Sequence, residues 1–313
     1  MGQAAVAGQA SRSQASRESY WPTLIGSSCQ PEGFSCSSQP SSCSCKETDG
    51  FASIFGKLSR PWSSRVDSEE SSGEEETDSL EWKPPVMGSD GSRYTGQWKA
   101  GHWHGEGQLE RADGSVYEGS FKDGKPHGQG RLQAPDGSVY EGQWRQGRAH
   151  GEGHYIKAGG AGSYEGQWLE DKRSGKGSEQ WADGCRYRGS YWNGVKHGRG
   201  FYQTPEGASY SGDFHADQMH GEGTYQFADG RVYSGSFRCG HMTGYGRMSW
   251  PSGAAYEGQY MRDEKHGAGV YTWPDGRVYE GKWEANLRHG RGVLYYVDGS
   301  SLSGTWCHGE PPR

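Results

Sequence analysis

Residues 117–139 read YEGSFKDGKPHGQGRLQAPDGSV, and close copies of these 23 residues fill the chain from about Asp90 onward. The steps between copies are 23 residues long except for one of 24, where residues 158–162 add a residue. A fixed period in this range predicts a repeat architecture, so function is expected on a surface that the copies build together. The copies begin at Tyr94, Tyr117, Tyr140, Tyr164, Tyr187, Tyr210, Tyr233, Tyr256, Tyr279 and, without the tyrosine, at Leu302.

The formal charge of the chain is concentrated before residue 88. That segment has 7 Lys+Arg and 12 Asp+Glu, a net of -5, whereas the rest of the chain has 26 and 27, a net of -1. A near-neutral repeat region lacks the basic excess that nucleic-acid binding needs, and it weakens attraction to anionic lipid. The sequence shows neither a secretory signal nor an apolar run of about 18 residues, so a cytosol-facing chain without a membrane span is expected.

Residues 1–87 are predicted to be a disordered Ser-rich and acidic tail. Residues 67–81 hold eight acidic residues and no basic one, which favours a solvated linker or a cluster of phosphorylation sites. Residues 50–59 are different, because four apolar side chains fall on one helical stripe. A helix this short folds only against a surface, and a membrane anchor and a segment that docks on the chain's own repeats both remain open. The four side chains are Phe51, Ile54, Phe55 and Leu58.

Each copy predicts two strands. With the tyrosine as position zero, glycine follows at position two and an aromatic residue at position four, so three core-facing positions alternate with polar ones. Glycines at positions eleven and thirteen and apolar residues at fifteen and seventeen mark the second strand, which ends at Asp-Gly, a strong turn signal. The predicted fold is all-β, an elongated, single-layer, twisted antiparallel meander of about ten hairpins over residues 88–313.

The pattern Tyr-x-Gly-x-Trp-x-x-Gly-x-x-His-Gly-x-Gly resembles the MORN repeat (membrane occupation and recognition nexus). The resemblance covers about 226 of the 313 residues, and it implies the hairpin solenoid described above. For function it implies a range: membrane tethers, accessory regions of phosphoinositide kinases, ciliary radial-spoke heads and cytoskeletal scaffolds. The enzymes of the family carry their catalytic domain outside the repeats.

No catalytic, cofactor-binding or metal site is predicted. The position-ten histidine recurs in seven of nine copies, but equivalent histidines lie two strands apart, too far to share a zinc ion. Each is interpreted as a side chain that hydrogen-bonds its own hairpin turn. Serine, histidine and aspartate fall at positions set by turn geometry, without a nucleophile-elbow motif, so the chain is predicted not to be an enzyme.

The aromatic face is the predicted binding site. A single-layer sheet is expected to leave much of this face uncovered, and an extended aromatic surface favours an apolar helical or extended protein segment. The predicted partner-binding side chains are Tyr94, Trp98, Tyr117, Phe121, Tyr140, Trp144, Tyr164, Trp168, Tyr187, Tyr191, Tyr210, Phe214, Tyr233, Phe237, Tyr256, Tyr260, Tyr279, Trp283 and Trp306.

The two ends of the array differ. Pro84 and Pro85 precede the first repeat and are expected to blunt that edge, whereas the last copy stops after one strand, which predicts a homodimer through the C-terminal strand.

The sequence as a whole predicts a non-catalytic scaffold that binds protein segments in a membrane-proximal, cytoskeletal or ciliary assembly. The alternative is a membrane tether or lipid-kinase regulator that binds anionic lipid or phosphoinositide, with peripheral membrane contact through the tail.

Overall fold

A computed structural model describes residues 79–312 of the chain. Over this range twenty β-strands form one sheet, and the helical content is a single 3₁₀ turn at Ala158–Gly160. The strands are β1 (Glu81–Met87), β2 (Arg93–Lys99), β3 (His102–Glu110), β4 (Val116–Lys122), β5 (Lys125–Gln133), β6 (Val139–Arg145), β7 (Arg148–Ile156), β8 (Gly162–Leu169), β9 (Lys172–Trp181), β10 (Arg186–Trp192), β11 (Val195–Gln203), β12 (Ser209–His215), β13 (Gln218–Gln226), β14 (Val232–Arg238), β15 (His241–Ser249), β16 (Ala255–Met261), β17 (Glu264–Thr272), β18 (Val278–Glu284), β19 (Leu287–Tyr295) and β20 (Ser301–Trp306).

Each strand pairs antiparallel with its neighbours in sequence, so the sheet is a continuous meander from β1 to β20. The sheet is open, because β1 and β20 each pair with one strand among the described residues. Tyrosine, glycine and the position-four aromatic residue point to the same face, as Tyr94, Gly96 and Trp98 do in β2. The predicted all-β meander of antiparallel hairpins is confirmed.

The hairpin of each repeat closes at a two-residue turn that the sequence analysis did not identify. In the second repeat this turn is Asp123-Gly124, with φ of 50° and 77°, and it joins the paired residues Lys122 and Lys125. Positive φ at both positions matches the right-handed twist of the flanking strands. The Gly124 N–H also donates to the carbonyl of Trp103 in the preceding repeat at 2.9 Å, so the turn links successive hairpins.

The predicted Asp-Gly turns connect one repeat to the next. At Asp136-Gly137 the Gly137 N–H donates to the Ala134 carbonyl at 3.0 Å, and Gly137 has φ of 87°. The Asp136 carboxylate accepts the Ser138 N–H at 2.8 Å. The aspartate side chain therefore stabilises the turn, and glycine supplies the left-handed conformation at its end. The loop is longer than a two-residue hairpin turn.

The sheet begins seven residues before the predicted boundary at residue 88. β1 pairs with β2 from Glu81 to Met87, and its register shifts between Lys83 and Val86, where the two prolines lie. Proline cannot donate to a ladder, so it is tolerated at a bulge on an edge strand. The predicted blunting of this edge by Pro84 and Pro85 agrees with that position.

The other edge folds back on itself. After β20 the chain turns at His308-Gly309, and Cys307 and Glu310 form a backbone bridge. Pro312 then lies against Gly304, where an added Cβ would come within 2.5 Å of the proline ring. The predicted segment at residues 50–59 lies outside the described residues, as do Cys29, Cys36, Cys43 and Cys45. Within residues 79–312, no helix has the length and apolar character needed to cross a membrane.

Candidate functional site

The aromatic residues that were predicted to bind a partner form the core of the sheet. Each of them is at most 6% exposed. The expectation that much of this face is uncovered is therefore wrong, and a partner contact by these side chains stays a prediction. The buried residues are Tyr94, Trp98, Tyr117, Phe121, Tyr140, Trp144, Tyr164, Trp168, Tyr187, Tyr191, Tyr210, Phe214, Tyr233, Phe237, Tyr256, Tyr260, Tyr279, Trp283 and Trp306.

The rings bury one another by edge-to-face packing. Tyr117 meets Phe121 of its own repeat at 5.0 Å and 83°, and Trp144 of the next repeat at 5.2 Å and 87°. Edge-to-face contacts set the positive ring edge against a negative ring face and stabilise a pair by about 0.5–1.5 kcal/mol beyond area burial. Every tyrosine of the row therefore joins two repeats, and the ring row is continuous along the sheet.

Glycine provides the space in which the tyrosine rings lie. Gly96 and Gly107 face each other across the first hairpin, and a Cβ on Gly107 would come within 2.5–2.7 Å of the Tyr94 ring. The Tyr94 hydroxyl donates to the Gln97 carbonyl at 2.8 Å. Burial raises the pKa of the Tyr94 hydroxyl well above its ordinary value, so the group stays a neutral donor. The strand glycines therefore leave the space in which the tyrosine rings lie over the backbone.

The recurrent His-Gly dipeptide lies in a bulge of the second strand. In the second repeat Gly119 pairs with Gly130 and Phe121 with Pro126, so three residues of β5 face one of β4. Gly128 has φ of 76°, and its counterparts in the other eight full repeats also have positive φ. This conformation explains why the glycine after the histidine is present in every full copy.

The contacts of the position-ten histidines differ from repeat to repeat. His104 Nδ1 lies 3.7 Å from Asp123 Oδ1, which belongs to the turn of the next repeat. His127 Nδ1 and His289 Nδ1 are buried and have no hydrogen-bond partner within the part of the chain that the structure describes. His104 therefore faces the following hairpin, whereas His289 Nε2 lies 3.3 Å from Glu284 Oε2 of its own hairpin.

Four cations on the core side were missed by the sequence analysis. They occupy position nine of the repeat. This position suggested no role, because other repeats have Trp103, Pro126, Ala149 and two methionines there. Lys265 Nζ lies 4.9 Å from the centroids of Tyr271 and Trp283, and the Arg288 guanidinium lies 4.0 Å from that of Trp306. Cation–π attraction of this kind grows as the cation is desolvated. We call Arg173, Lys196, Lys265 and Arg288 the core-face cations.

Among the four core-face cations, Arg173 is the one that pairs with a buried acid. Its side chain is 14% exposed and lies 2.6 Å from Glu179, which is 6% exposed. The Tyr191 hydroxyl donates to the same carboxylate at 2.8 Å, and Arg173 donates to the Gly194 carbonyl at 2.6 Å. Desolvation lowers the pKa of Arg173 and the Glu179 charge raises it, with a net rise, so the guanidinium is charged.

The comparisons with known proteins identify the repeat. The family model described as MORN repeat matches nine successive segments: residues 94–116, 117–139, 140–161, 164–186, 187–209, 210–230, 233–255, 256–276 and 279–301. The chain belongs to the MORN-repeat family. MORN repeats are generally protein- or lipid-binding modules, and the family is generally non-enzymatic.

Solved structures resemble the MORN chain only remotely. A point mutant of the TCP10 domain of Danio rerio CPAP is 14% identical, with 72% of this chain and 100% of that chain covered and a TM-score of 0.23. The Drosophila melanogaster SAS-4 (dCPAP) TCP domain in complex with a proline-rich motif of Ana2 (dSTIL) is 10% identical, with 79% and 100% covered and a TM-score of 0.20. A Staphylococcus aureus virginiamycin B lyase is 9% identical, with 71% and 83% covered and a TM-score of 0.15. These scores support no conclusion about function. No curated protein sequence matches the chain.

The outer face of the MORN sheet, opposite the ring row, carries both signs of charge. Arg131 pairs across the strands with Glu118 on one side and with Glu141 on the other. The first outward position of a repeat is glutamate in five copies: Glu118, Glu141, Glu165, Glu257 and Glu280. The outer face therefore has no continuous cationic surface over these strands.

Exposed and half-buried rings on the outer face form a second aromatic feature. Trp192 is 65% exposed and its ring lies 5.8 Å from that of His197. The His197 and His215 rings are 4.8 Å apart, and those of His215 and His220 are 5.4 Å apart. The four residues, which we call the ring ladder, belong to the four consecutive strands β10–β13.

Proposed function

We propose that this MORN-repeat chain is a non-catalytic scaffold that binds protein segments and organises a membrane-proximal or cytoskeletal assembly, ciliary assemblies included. The observation that supports it is the ring ladder, because aromatic side chains that stand exposed together are typical of protein interfaces. The buried ring row then holds the sheet together, and the proposed contact is made on the outer face.

The ring ladder favours a segment that crosses the strands. Four strands at about 4.8 Å give the ladder a length of roughly 14 Å, which is the length of about four extended residues. Trp192 offers a large apolar surface at one end of the ladder. His220 lies at the other end, where burial and the charges of His215 and Arg238 lower its pKa. A lowered pKa favours the neutral form of His220, which suits an apolar or aromatic segment better than a charged ring would.

Anionic lipid is the second candidate, and charge ranks it lower. The outward glutamates repel phosphate headgroups, and attraction to a membrane surface needs cations that reach it. Two of the core-face cations are held by the protein itself: Arg173 pairs with Glu179, and Lys196 lies 5.1 Å from the Trp181 ring. Membrane contact through residues 50–59 remains part of the alternative.

A homodimer through β20 is also proposed. The outer edge of β20 carries no strand partner among the described residues, and an unpaired edge is a template for a second chain. The fold-back at Glu310 and Pro312 limits the edge that is free. Light scattering of the full chain and of a chain without residues 301–313 tests it: a mass that halves on deletion supports the dimer, and equal monomer masses reject it.

The scaffold proposal is tested with matched variants of the full chain. Proximity labelling in cells identifies partners, and purified partner segments are then titrated against the parent, Trp192→Ala and Leu169→Ala. Leu169 is 52% exposed and occupies the position of Trp192 one repeat earlier, so it controls for loss of an exposed apolar side chain. We expect Trp192→Ala to weaken binding at least 10-fold, about 1.4 kcal/mol, and Leu169→Ala to leave it unchanged.

Vesicle sedimentation decides between the two candidates. The full chain is mixed with vesicles of neutral lipid and with vesicles that contain phosphatidylserine or a phosphoinositide, at low and high salt. The lipid-binding function would replace the scaffold if two results are obtained together. Vesicle binding would have to increase with anionic lipid and fall with salt, and no partner segment would bind more weakly to Trp192→Ala than to the parent.

A further inference from the structure

A group of three potential metal ligands lies at the last hairpin. Among residues 79–312, Glu284, His289 and His308 are the one group of at least three His, Cys, Asp or Glu residues whose ligand atoms all lie within 4.8 Å of one another. Glu284 ends β18, His289 lies in β19 and His308 lies in the turn after β20. The group therefore spans three consecutive strands.

We propose that Glu284, His289 and His308 bind a zinc ion. His289 Nε2 lies 3.3 Å from Glu284 Oε2. Two ligand atoms on a tetrahedral zinc ion, with bonds of about 2.0–2.1 Å, are about 3.3–3.4 Å apart, so this pair already has the spacing of zinc ligands. The His308 ring lies 5.2 Å from that of His289, centroid to centroid. His308 is exposed, so a side-chain rotation brings its nitrogen to the same distance.

Zinc is the ion that this donor set favours. Two imidazoles and one carboxylate match the ligand set of zinc sites that leave one coordination position open, whereas magnesium and calcium prefer oxygen ligands throughout. Cys307 Sγ lies 3.4 Å from His308 Nδ1. A thiol at that nitrogen orients the ring and leaves His308 Nε2 to the metal, as the outer-shell partner of a metal-bound histidine does.

His289 and His308 occupy different positions of the repeat, unlike the position-ten histidines, which lie two strands apart and too far from one another to share a zinc ion. His289 is the position-ten histidine, whereas His308 occupies the first residue of the two-residue turn in the next hairpin. The position-ten side chain faces that turn, as His104 faces Asp123. In four other repeats the place of Glu284 holds a cation that would repel a metal ion: Lys99, Lys122, Arg145 and Arg238.

The proposed site ties the last turn to the two strands before it. His289 Nδ1 is buried without a hydrogen-bond partner among the described residues, so this atom does not fix the position of the ring. Metal binding at Nε2 would fix it. A zinc ion that binds the folded state alone raises stability by mass action. The site is therefore expected to stabilise the end of the array.

The test uses substitutions that the fold already accommodates. The variants are His308→Ala, His289→Thr and Glu284→Met, each made in the full chain. Ala285 adopts φ of 48° where His308 has 47°, so alanine fits the turn. The residues found at the corresponding positions of other repeats are Ala285, Thr243 and Met261. All chains, the parent included, carry serine at Cys29, Cys36, Cys43 and Cys45, so that zinc held by tail thiols is not counted.

Isothermal titration of the metal-stripped chains with zinc chloride measures the site. We expect one zinc ion per parent chain, a loss of affinity of at least about 10-fold in each variant, and no change in the control His266→Thr, which removes the same residue type from the preceding repeat. Zinc should raise the melting temperature of the parent and the control only. A parent that binds no zinc, variants that bind it as tightly as the parent, or an equal loss in the control would overturn the site.

Cobalt substitution gives a second readout that does not depend on the variants. The parent loaded with Co²⁺ should show the intense visible absorption of a tetrahedral ion, and a weak octahedral spectrum would contradict the proposed ligands. A thiolate charge-transfer band that disappears in Cys307→Ser would assign the fourth ligand to Cys307, and its absence would keep Cys307 as the residue that orients His308.

Discussion

Tyr117 and Ser120 are joined by a hydrogen bond within one strand, from the tyrosine hydroxyl to the serine carbonyl at 2.9 Å. The strand register shifts at this point, so the carbonyl is not used by the ladder in the ordinary way. Every full repeat makes the same contact, at 2.8–3.1 Å. The tyrosine therefore combines two tasks, since its ring covers the glycine pair and its hydroxyl satisfies the carbonyl at the bulge.

Tyr117→Phe should destabilise the array by about 1–2 kcal/mol, because it keeps the ring and removes the hydroxyl that donates to a part-buried carbonyl. Chemical denaturation of the full chain measures the change. Tyr295→Phe is the control, since Tyr295 is 44% exposed and lies on the outer face. Equal stabilities for Tyr117→Phe and the control would show that the hydroxyl has no part in holding the bulge.

Gly107→Ala should cost more than Tyr117→Phe. The new Cβ would lie 2.5 Å from the Tyr94 hydroxyl oxygen and 2.7 Å from two of its ring carbons, so the ring must leave its place in the row. Overpacking of this kind costs about 1–3 kcal/mol. Thermal unfolding measures it against Gly240→Asp, a turn substitution that Asp171 and Asp263 already make in other repeats. A stable Gly107→Ala would mean that the tyrosine ring can move aside at little cost.

Asp171→Asn should stabilise the chain at pH 7. Burial raises the pKa of the Asp171 carboxyl to about 6, while its hydrogen bond from the Ala149 N–H and the charge of Arg148 act in the opposite direction. A carboxyl whose folded pKa lies above its ordinary value favours the protonated folded state, so the site loses stability as pH rises from about 4 to 6. Asn286 accepts the corresponding N–H, from Lys265 at 2.9 Å, without a charge.

The gain from Asp171→Asn should therefore shrink as pH falls from 7 to 4, and a pH series of denaturation curves measures it. Asp298→Asn is the control of opposite sign, because hydrogen bonds from Ser300 lower the pKa of the Asp298 carboxyl. Loss of that group should destabilise the chain above pH 4. A pH-independent effect of Asp171→Asn would show that the carboxyl is solvated in the folded chain.

Glu179→Gln should destabilise the chain more than the double substitution Arg173→Met with Glu179→Leu. The single change leaves the Arg173 guanidinium buried without a counter-charge, which typically costs about 3–5 kcal/mol. The double change removes both charges, and methionine already occupies position nine at Met219 and Met242. Urea denaturation measures all variants, and a double-mutant cycle of Arg173→Met, Glu179→Leu and their combination gives the coupling; additive effects would mean that the pair contributes no interaction of its own.

The strands could be predicted from sequence because their signals are local. Tyr140, Gly142 and Trp144 alternate with polar residues, and alternation fixes which face a side chain takes whatever the rest of the chain does. The strand glycines could be interpreted for the same reason, since a ring and a missing side chain at fixed spacing indicate close approach.

The burial of the ring row could not be predicted in that way. Whether Tyr140 is covered depends on Trp168 of the following repeat, 5.2 Å away and edge-on, a contact between repeats that no single copy specifies. The two-residue turns were missed because their residues vary, from Asp123-Gly124 to Ala285-Asn286, although all have positive φ. The core-face cations were missed because position nine has no fixed residue type.

The link from each turn to the repeat before it has a consequence for how the chain comes apart. Gly124 N–H donates to Trp103, and Gly309 N–H, at the far end, donates to Arg288 in the same way at 2.9 Å. Among the described residues, these turn hydrogen bonds join each repeat to the adjacent repeats only. The array is therefore expected to behave as a row of units that are coupled to their nearest neighbours. Unfolding should then begin at the terminal strands and proceed inward, one repeat after another. Deletion of one 23-residue repeat should yield a shorter array with the same contacts between repeats.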